Sequence, residues 1–490
     1  MGLFTKYVQL REQEEGKKKG GSHKGPEPLS SKVSLGDGND YEPFTVSDDK
    51  NSEHYGKNKN LAPVVRAFKK GGNWGWSKDD NSGEDKPVKI SGKKLYLSGG
   101  PVRDHLKGKK PRNIELATNA SPDEVYHLLK QNDFEYVNSP EEAQADLSFW
   151  ITKTNKSGRP FAFGIKSRED QYELTIFTKT PKGNVQVEPE SGTQSDDASG
   201  RDFTMNAMYI ALANDNGPNK ELQDFYGGIH DLAGGKVRTV GDMGSKFKED
   251  PSRLLRYIRM IDGYGSPKNI SSEERDTVSK SLQHLGKLKP QDMMGELKKA
   301  LDKDDSDGRR LLKTMKDLGA LDYVFPGKQL DTNLPKELSE IGDKHMPLAW
   351  MLRMNDPQSL QDSGLDDDML KKIQFLIKSL SLHDGIDDEG LEDLVNSFRE
   401  SGISTRKLKT WAEKMGGMDP SLVDSFIQHI KTPRVKTMTH AENGEEMPNE
   451  QFKDLIDPFD QQPISTEAVD RRRQQLELEN FRRILHRTRS

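Results

Sequence analysis

Gly99-Gly100 followed by Arg103, and then Asn113 and Glu115 two apart, are residues whose types and spacing could do chemistry. Paired glycines let a backbone come close to a bound group and adopt positive φ. Amides over such a turn, at the start of a helix, favour an anion, and a guanidinium fork suits phosphate. A tight hairpin would use the same two glycines, so the turn alone does not choose. Asn113 and Glu115 share a face if they lie on a strand, where side chains alternate with a period of two. A third group, Asp250 with Arg253, Arg256 and Arg259, joins a carboxylate to guanidiniums recurring every three residues. Asp250 and Arg253 can project together from a helix. A capped helix with a solvated basic edge has the same pattern.

These residues need elements to hold them. Leu95-Tyr96-Leu97 is an apolar run of strand type, broken at Ser98-Gly99-Gly100, and Val102 to Leu106 reads as a helix start. Asn113 to Ala117 is a second strand. Ser121 to Gln131 has helical spacing with Ser121 as N-cap, and Gln171 to Phe177 alternates like a half-buried strand. The polar run from Lys182 to Ser199 reads as a mobile loop. Asp202 is suited to capping a helix over Met205 to Leu212. Gly227 and Gly228 turn the chain, with Asp231 as a cap for the segment after it. Asp250 and Pro251 are helix-start chemistry, and Leu254, Leu255, Ile258 and Ile261 form a core-facing stripe. From Pro290 onward the apolar spacing is helical, so the expected fold class is α+β.

Composition bounds the partners. The chain has 490 residues, 31% hydrophobic and 32% charged, with a formal net charge of −5 and a mean hydropathy of −0.89. Bulk charge does not mark a nucleic-acid binder, so contact with RNA must come from local basic patches. With no cysteine, disulfides and Cys-based zinc sites are excluded. No apolar run approaches the ~20 residues of a membrane span, and the expectation is a soluble, cytoplasmic protein. Residues 1–92 are mostly Gly, Lys, Ser, Asn and Asp, a composition that cannot offset ordering entropy. They read as a disordered or loosely docked arm with one basic, aromatic island at Leu61 to Trp76. Ser465 to Arg489 reads as a polar helix with a basic surface, suited to an RNA backbone or to a coiled contact with another chain.

The run from Gly99 to Thr118, GGPVRDHLKGKKPRNIELAT, resembles the opening motif of the class II nucleotidyltransferases, the tRNA CCA-adding enzymes and bacterial poly(A) polymerases. Arg201-Asp202-Phe203-Thr204-Met205-Asn206-Ala207 is similar to that family's RRDFTxNA, with Gly200 in place of the first arginine. Asp224 to Leu232 is similar to its DxxGGxxDL, and Glu249 to Arg256 to its EDPxRxLR. The resemblance implies a small mixed-sheet head followed by a helical neck, body and tail. The corresponding boundaries are 93–233 for the head, 234–330 for neck and body, 331–435 for further helices and 436–490 for a polar extension.

It also implies roles. Gly99, Gly100 and Arg103 would hold phosphate, Asp202 the ribose, and Asn206 would brace the site. Asp250, Arg253 and Arg256 would read the incoming base. Asn113, Glu115 and Glu173 would stand where the family's catalytic carboxylates stand, the first two holding Mg²⁺ or Mn²⁺. The implied reaction moves AMP or CMP from ATP or CTP to an RNA 3′-hydroxyl, as on tRNA. The departure is at the metal strand, where Asn113 and Glu115 replace Asp-x-Asp. Asn113 offers an oxygen without charge, and Glu115 reaches one methylene further. Thr178 likewise stands where the family's strand ends in a basic residue. A member that binds nucleotide or RNA without transferring is the rival expectation.

Overall fold

Strand-type runs dominate the first half of this chain and helix-type runs the second. The computed structural model describes residues 31–34, 41–78, 85–111, 113–156, 158–178, 192–302, 308–380, 388–415, 423, 437–439 and 446–448. The described residues fall into two units, one within 1–253 plus 264–277 and one within 254–263 plus 278–490. The fold class is α+β.

The first unit is built on a nine-stranded mixed sheet. Its strands are β1 (Ser31–Ser34), β2 (Leu95–Ser98), β3 (Ile114–Thr118), β4 (Glu135–Tyr136), β5 (Leu147–Thr154), β6 (Pro160–Ser167), β7 (Asp170–Ile176), β8 (Met208–Ala211) and β9 (Glu221–Asp224). Their spatial order is β1-β9-β8-β2-β3-β7-β6-β5-β4. β3 and β7 are parallel and in register, with Glu173 opposite Glu115. Alternation does the sorting: Leu116, Leu174 and Ile176 are buried on one face, while Glu115 is exposed on the other.

Four expectations change here. Asn113 lies in an exposed bend one residue before β3, because the strand begins at Ile114. The run over Met205 to Leu212 is a short 3₁₀ turn, Thr204–Asn206, followed by strand β8. The polar loop ends in a helix, Gln194–Gly200, opened by a reciprocal capping box between Thr193 and Asp196. Asp231 is also placed differently, inside the helix Gly228–Gly234. There it is buried and accepts from the Thr204 hydroxyl (2.5 Å) and Arg238 Nε (2.8 Å).

The N-terminal segment departs most. Residues 41–78 carry a strand, Phe44–Ser47, a helix, Ala62–Lys70, and a strand, Gly72–Lys78. Phe44, Val46, Leu61, Val64, Val65, Ala67 and Phe68 are all buried. A loose arm does not describe them. Their polar flanks hid a few apolar residues at helical spacing, enough to dock one amphipathic face. Asp48 fastens the segment: Arg66 donates to both of its oxygens (2.6 and 2.9 Å) and Arg168 to one (2.8 Å).

The second unit is mainly helical, with Pro290–Leu301, Arg309–Asp317, Met346–Leu352, Asp367–Leu380, Asp388–Ser401 and Thr405–Met415, and one short strand pair, Thr437–Thr439 with Glu446–Pro448. Trp411 and Phe375 are fully buried in it, and the Trp411 indole donates to Ser379 Oγ (3.0 Å). The expected basic helix at 465–489 lies outside the described residues. Among the described residues no helix is long and apolar enough to cross a membrane.

Candidate nucleotide site

The turn after β2 is held by its own backbone. Gly99 has φ of 71°, and a Cβ there would lie 3.0 Å from Arg201 Nη1 and 3.2 Å from Glu115 Oε2. Both the positive φ and the crowding demand glycine. The Gly99 amide donates to the Met208 carbonyl (3.1 Å), and its carbonyl accepts from Arg103 N (3.2 Å). Gly100 opens the helix Gly100–Leu106.

Arg103 is not an open fork. It is 8% exposed, which decides its role, because every side of the guanidinium is occupied. Nε and Nη2 donate to Asp104 Oδ1 (3.0 and 2.8 Å), Nη1 to Asn206 Oδ1 (2.6 Å) and Nη2 to the Tyr264 hydroxyl (3.0 Å). The guanidinium stacks 4.0 Å from the centre of the Tyr264 ring. Tyr264 in turn donates to Asp104 Oδ1 (2.5 Å), and burial pushes its hydroxyl up to about 12. Asn206 passes the chain on, its Nδ2 donating to Asp202 Oδ1 (3.0 Å). Asp202 also accepts from the Phe203 amide (2.8 Å). The phosphate-turn motif and the RDFT motif are therefore one hydrogen-bonded line, Asp104–Arg103–Asn206–Asp202. The Tyr264 end left no signal in the sequence, being 160 residues from Asp104.

The carboxylates stand beside that line. Glu115 and Glu173 face each other across β3 and β7. Loss of hydration raises the pKa of Glu115, Arg201 pulls it back, and the charges of Glu173 and Asp202 push it up again. Arg201 Nη1 lies 3.9 Å from Glu115 Oε2, while its Nε and Nη2 bind Asp197 Oδ2 (3.1 and 3.0 Å). Glu173 is paired with Lys153. A two-ion Mg²⁺ centre needs several hard oxygens in tight octahedral geometry. Here Asn113 is exposed ahead of the strand, and both glutamates already face protein cations. Among the described residues no group of three or more Asp, Glu or His side chains is placed to hold a metal. These residues do not fit such a centre.

The EDPxR helix, Ser252–Tyr264, is capped by Asp250, whose Oδ1 accepts from the Ser252 amide (3.0 Å) and hydroxyl (2.6 Å). Arg253 Nη1 binds Glu249 (2.6 Å), and its Nε lies 3.7 Å from Asp250 Oδ2. Asp250 and Arg253 thus do project together, with one carboxylate oxygen spent on the cap. Arg256 belongs to the second unit, where it lies 3.7 Å from buried Glu296. Arg259 Nε and Lys299 also reach Glu296 (2.9 and 3.0 Å).

Residues 95–238 match the family model described as the poly(A) polymerase head domain. Over that stretch the chain resembles the class II nucleotidyltransferases. It is 30% identical over 184 residues to poly(A) polymerase I of Haemophilus influenzae, covering 35% of each chain. It is 27% identical over 241 residues to the CCA-adding enzyme of Bacillus velezensis, covering 48% of this chain and 53% of that one. Over 234 residues it is 26% identical to the mitochondrial CCA tRNA nucleotidyltransferase 1 of Danio rerio, 47% and 48% of the two chains. The chain thus spans between about a third and a half of these relatives' lengths. In fold it is similar to the Bacillus stearothermophilus CCA-adding enzyme solved with CTP, with a TM-score of 0.52 and 18% identity over 81% of this chain and 94% of that one. The likeness to these enzymes thus rests on the head, where the motif residues converge.

Proposed function

We propose that this protein binds a nucleoside triphosphate and an RNA 3′ end on its head, with the binding half of the family's machinery intact and the transfer half reduced. The carrying observation is the Asp104–Arg103–Asn206–Asp202 line, which joins two motifs 103 residues apart at Arg103 and Asn206 into one rigid floor beside the Gly99 turn. ATP and CTP are the nucleotides supported, since structures of similar fold are CCA-adding enzymes solved with each. The name of the Danio rerio relative supports tRNA as the RNA. In this reading Arg103 and Asn206 position the floor, Gly99 and Gly100 admit the phosphates, and Asp202 faces the ribose. Asp250 and Arg253 supply base-reading groups.

A second reading, transfer of AMP or CMP to the 3′-hydroxyl, is favoured by the register that sets Glu115 against Glu173. One set of experiments separates the two. Purified protein is titrated with ATP and CTP, and incorporation of labelled nucleotide into tRNA lacking its 3′ end is followed with Mg²⁺ or Mn²⁺. Binding with little incorporation is expected. Asn113→Asp with Glu115→Asp should raise incorporation more than either change alone, because residues acting as a unit are not additive. Robust wild-type incorporation abolished by Glu173→Ala would establish the second reading, and no nucleotide binding would remove the first.

A further inference from the structure

Lys153 reaches the carboxylate face because of an irregularity in β5. Ile151 pairs with Phe163, yet Lys153 pairs with Ala162, so Thr152 is an extra residue bulged out of the ladder. Regular pairing would set Lys153 opposite Phe161, on the other face. Bulges re-aim side chains in this way. Ala162 pairs with Thr175, two residues along β7 from Glu173 and therefore on the same face. Gly164, opposite Glu173, makes room for the Trp150 ring, which a Cβ there would meet at 2.2 Å. Lys153 pairs with Glu173, and its side chain remains 55% exposed.

A multiply charged triphosphate approaching Glu115 and Glu173 meets like charge. Here each glutamate has a protein cation facing it: Arg201, held by Asp197, for Glu115, and Lys153 for Glu173. They differ in freedom. Arg201 is fixed by its bonds to Asp197, whereas Lys153 is a compact charge on a flexible stem with three donors. An exposed Lys–Glu pair is weak in water, so Lys153 can turn to a phosphate at little cost. We infer that Lys153 is the cation that meets the triphosphate on this face, so that nucleotide binding needs no divalent ion. This rests on the proposal that the head binds nucleotide.

The test is calorimetric titration of the full chain with ATP and with CTP, once in EDTA and once in excess Mg²⁺. Affinities within about two-fold of each other are expected. In EDTA, Lys153→Met should weaken binding by about ten-fold, the loss of one charge-assisted hydrogen bond, and Lys153→Arg should retain it. Binding that appears only with Mg²⁺ would overturn this inference and leave the nucleotide site standing. Wild-type affinity for Lys153→Met in EDTA would overturn it too. Absence of binding in both buffers would remove the nucleotide site itself, and this inference with it.

Discussion

Asn206 is the hinge pin of the site: its amide accepts from Arg103 and donates to Asp202. Asn206→Ala leaves a largely buried guanidinium short of one acceptor, and such a deletion costs about 1–3 kcal/mol. Thermal unfolding should show that loss, and nucleotide affinity should fall with it, although Asn206 need not touch the nucleotide. Glu115 gives a pH signature. Its pKa is raised in the folded protein, so the folded state holds the proton more tightly than the unfolded one. That contribution is fully present below the ordinary glutamate value of about 4.3 and is lost as pH rises through the folded value. The stability of wild type relative to Glu115→Gln should therefore decline with rising pH across that window. A flat difference would place the carboxyl in bulk solvent.

The EDPxR helix divides its arginines between two tasks. Arg253 and Asp250 sit together at its start, whereas Arg259 is spent on Glu296, which is 5% exposed. Arg253→Ala and Asp250→Ala should weaken ATP or CTP binding more than Arg259→Ala. Arg259→Ala should instead lower stability by about 1–3 kcal/mol, because it strips a partner from a buried carboxylate. Equal losses of affinity for all three would reduce the helix to general positive charge. Here the sequence was readable: Asp250 as a cap and Leu254, Leu255 and Ile258 as a buried stripe follow from local spacing, and the structure has both. Lys153 was not readable, since its face depends on one bulged residue that no periodicity reveals.

At the scale of the chain, local motifs were legible and long-range docking was not. The strands flanking Gly99, the strand that carries Glu173 and the helices of the second unit follow from local patterns, whereas the register of Glu173 against Glu115 does not. The segment 41–78 follows from none, because its few apolar residues find their partners far along the chain. Asp48 shows the cost of that docking and gives a test. Hydrogen bonds from Arg66, against burial, and from Arg168 hold its carboxyl below the usual carboxylate range. The resulting stability is present above the ordinary aspartate value of about 3.9 and is lost as pH falls through the folded value. Asp48→Ala should cost about 1–3 kcal/mol at neutral pH and progressively less in acid, measured by denaturant unfolding. Unchanged stability at neutral pH would mean the apolar face alone holds the segment.

Thr152 separates charge from place in this protein. Removing that one uncharged residue would take out the bulge and leave Lys153 opposite Ala162, on the face of Glu173. The deletion should therefore keep wild-type affinity in the EDTA titration, with the net charge still at −5. Deleting Lys153 would instead seat Thr152 there and should mimic Lys153→Met. Two deletions one residue apart would then give opposite results.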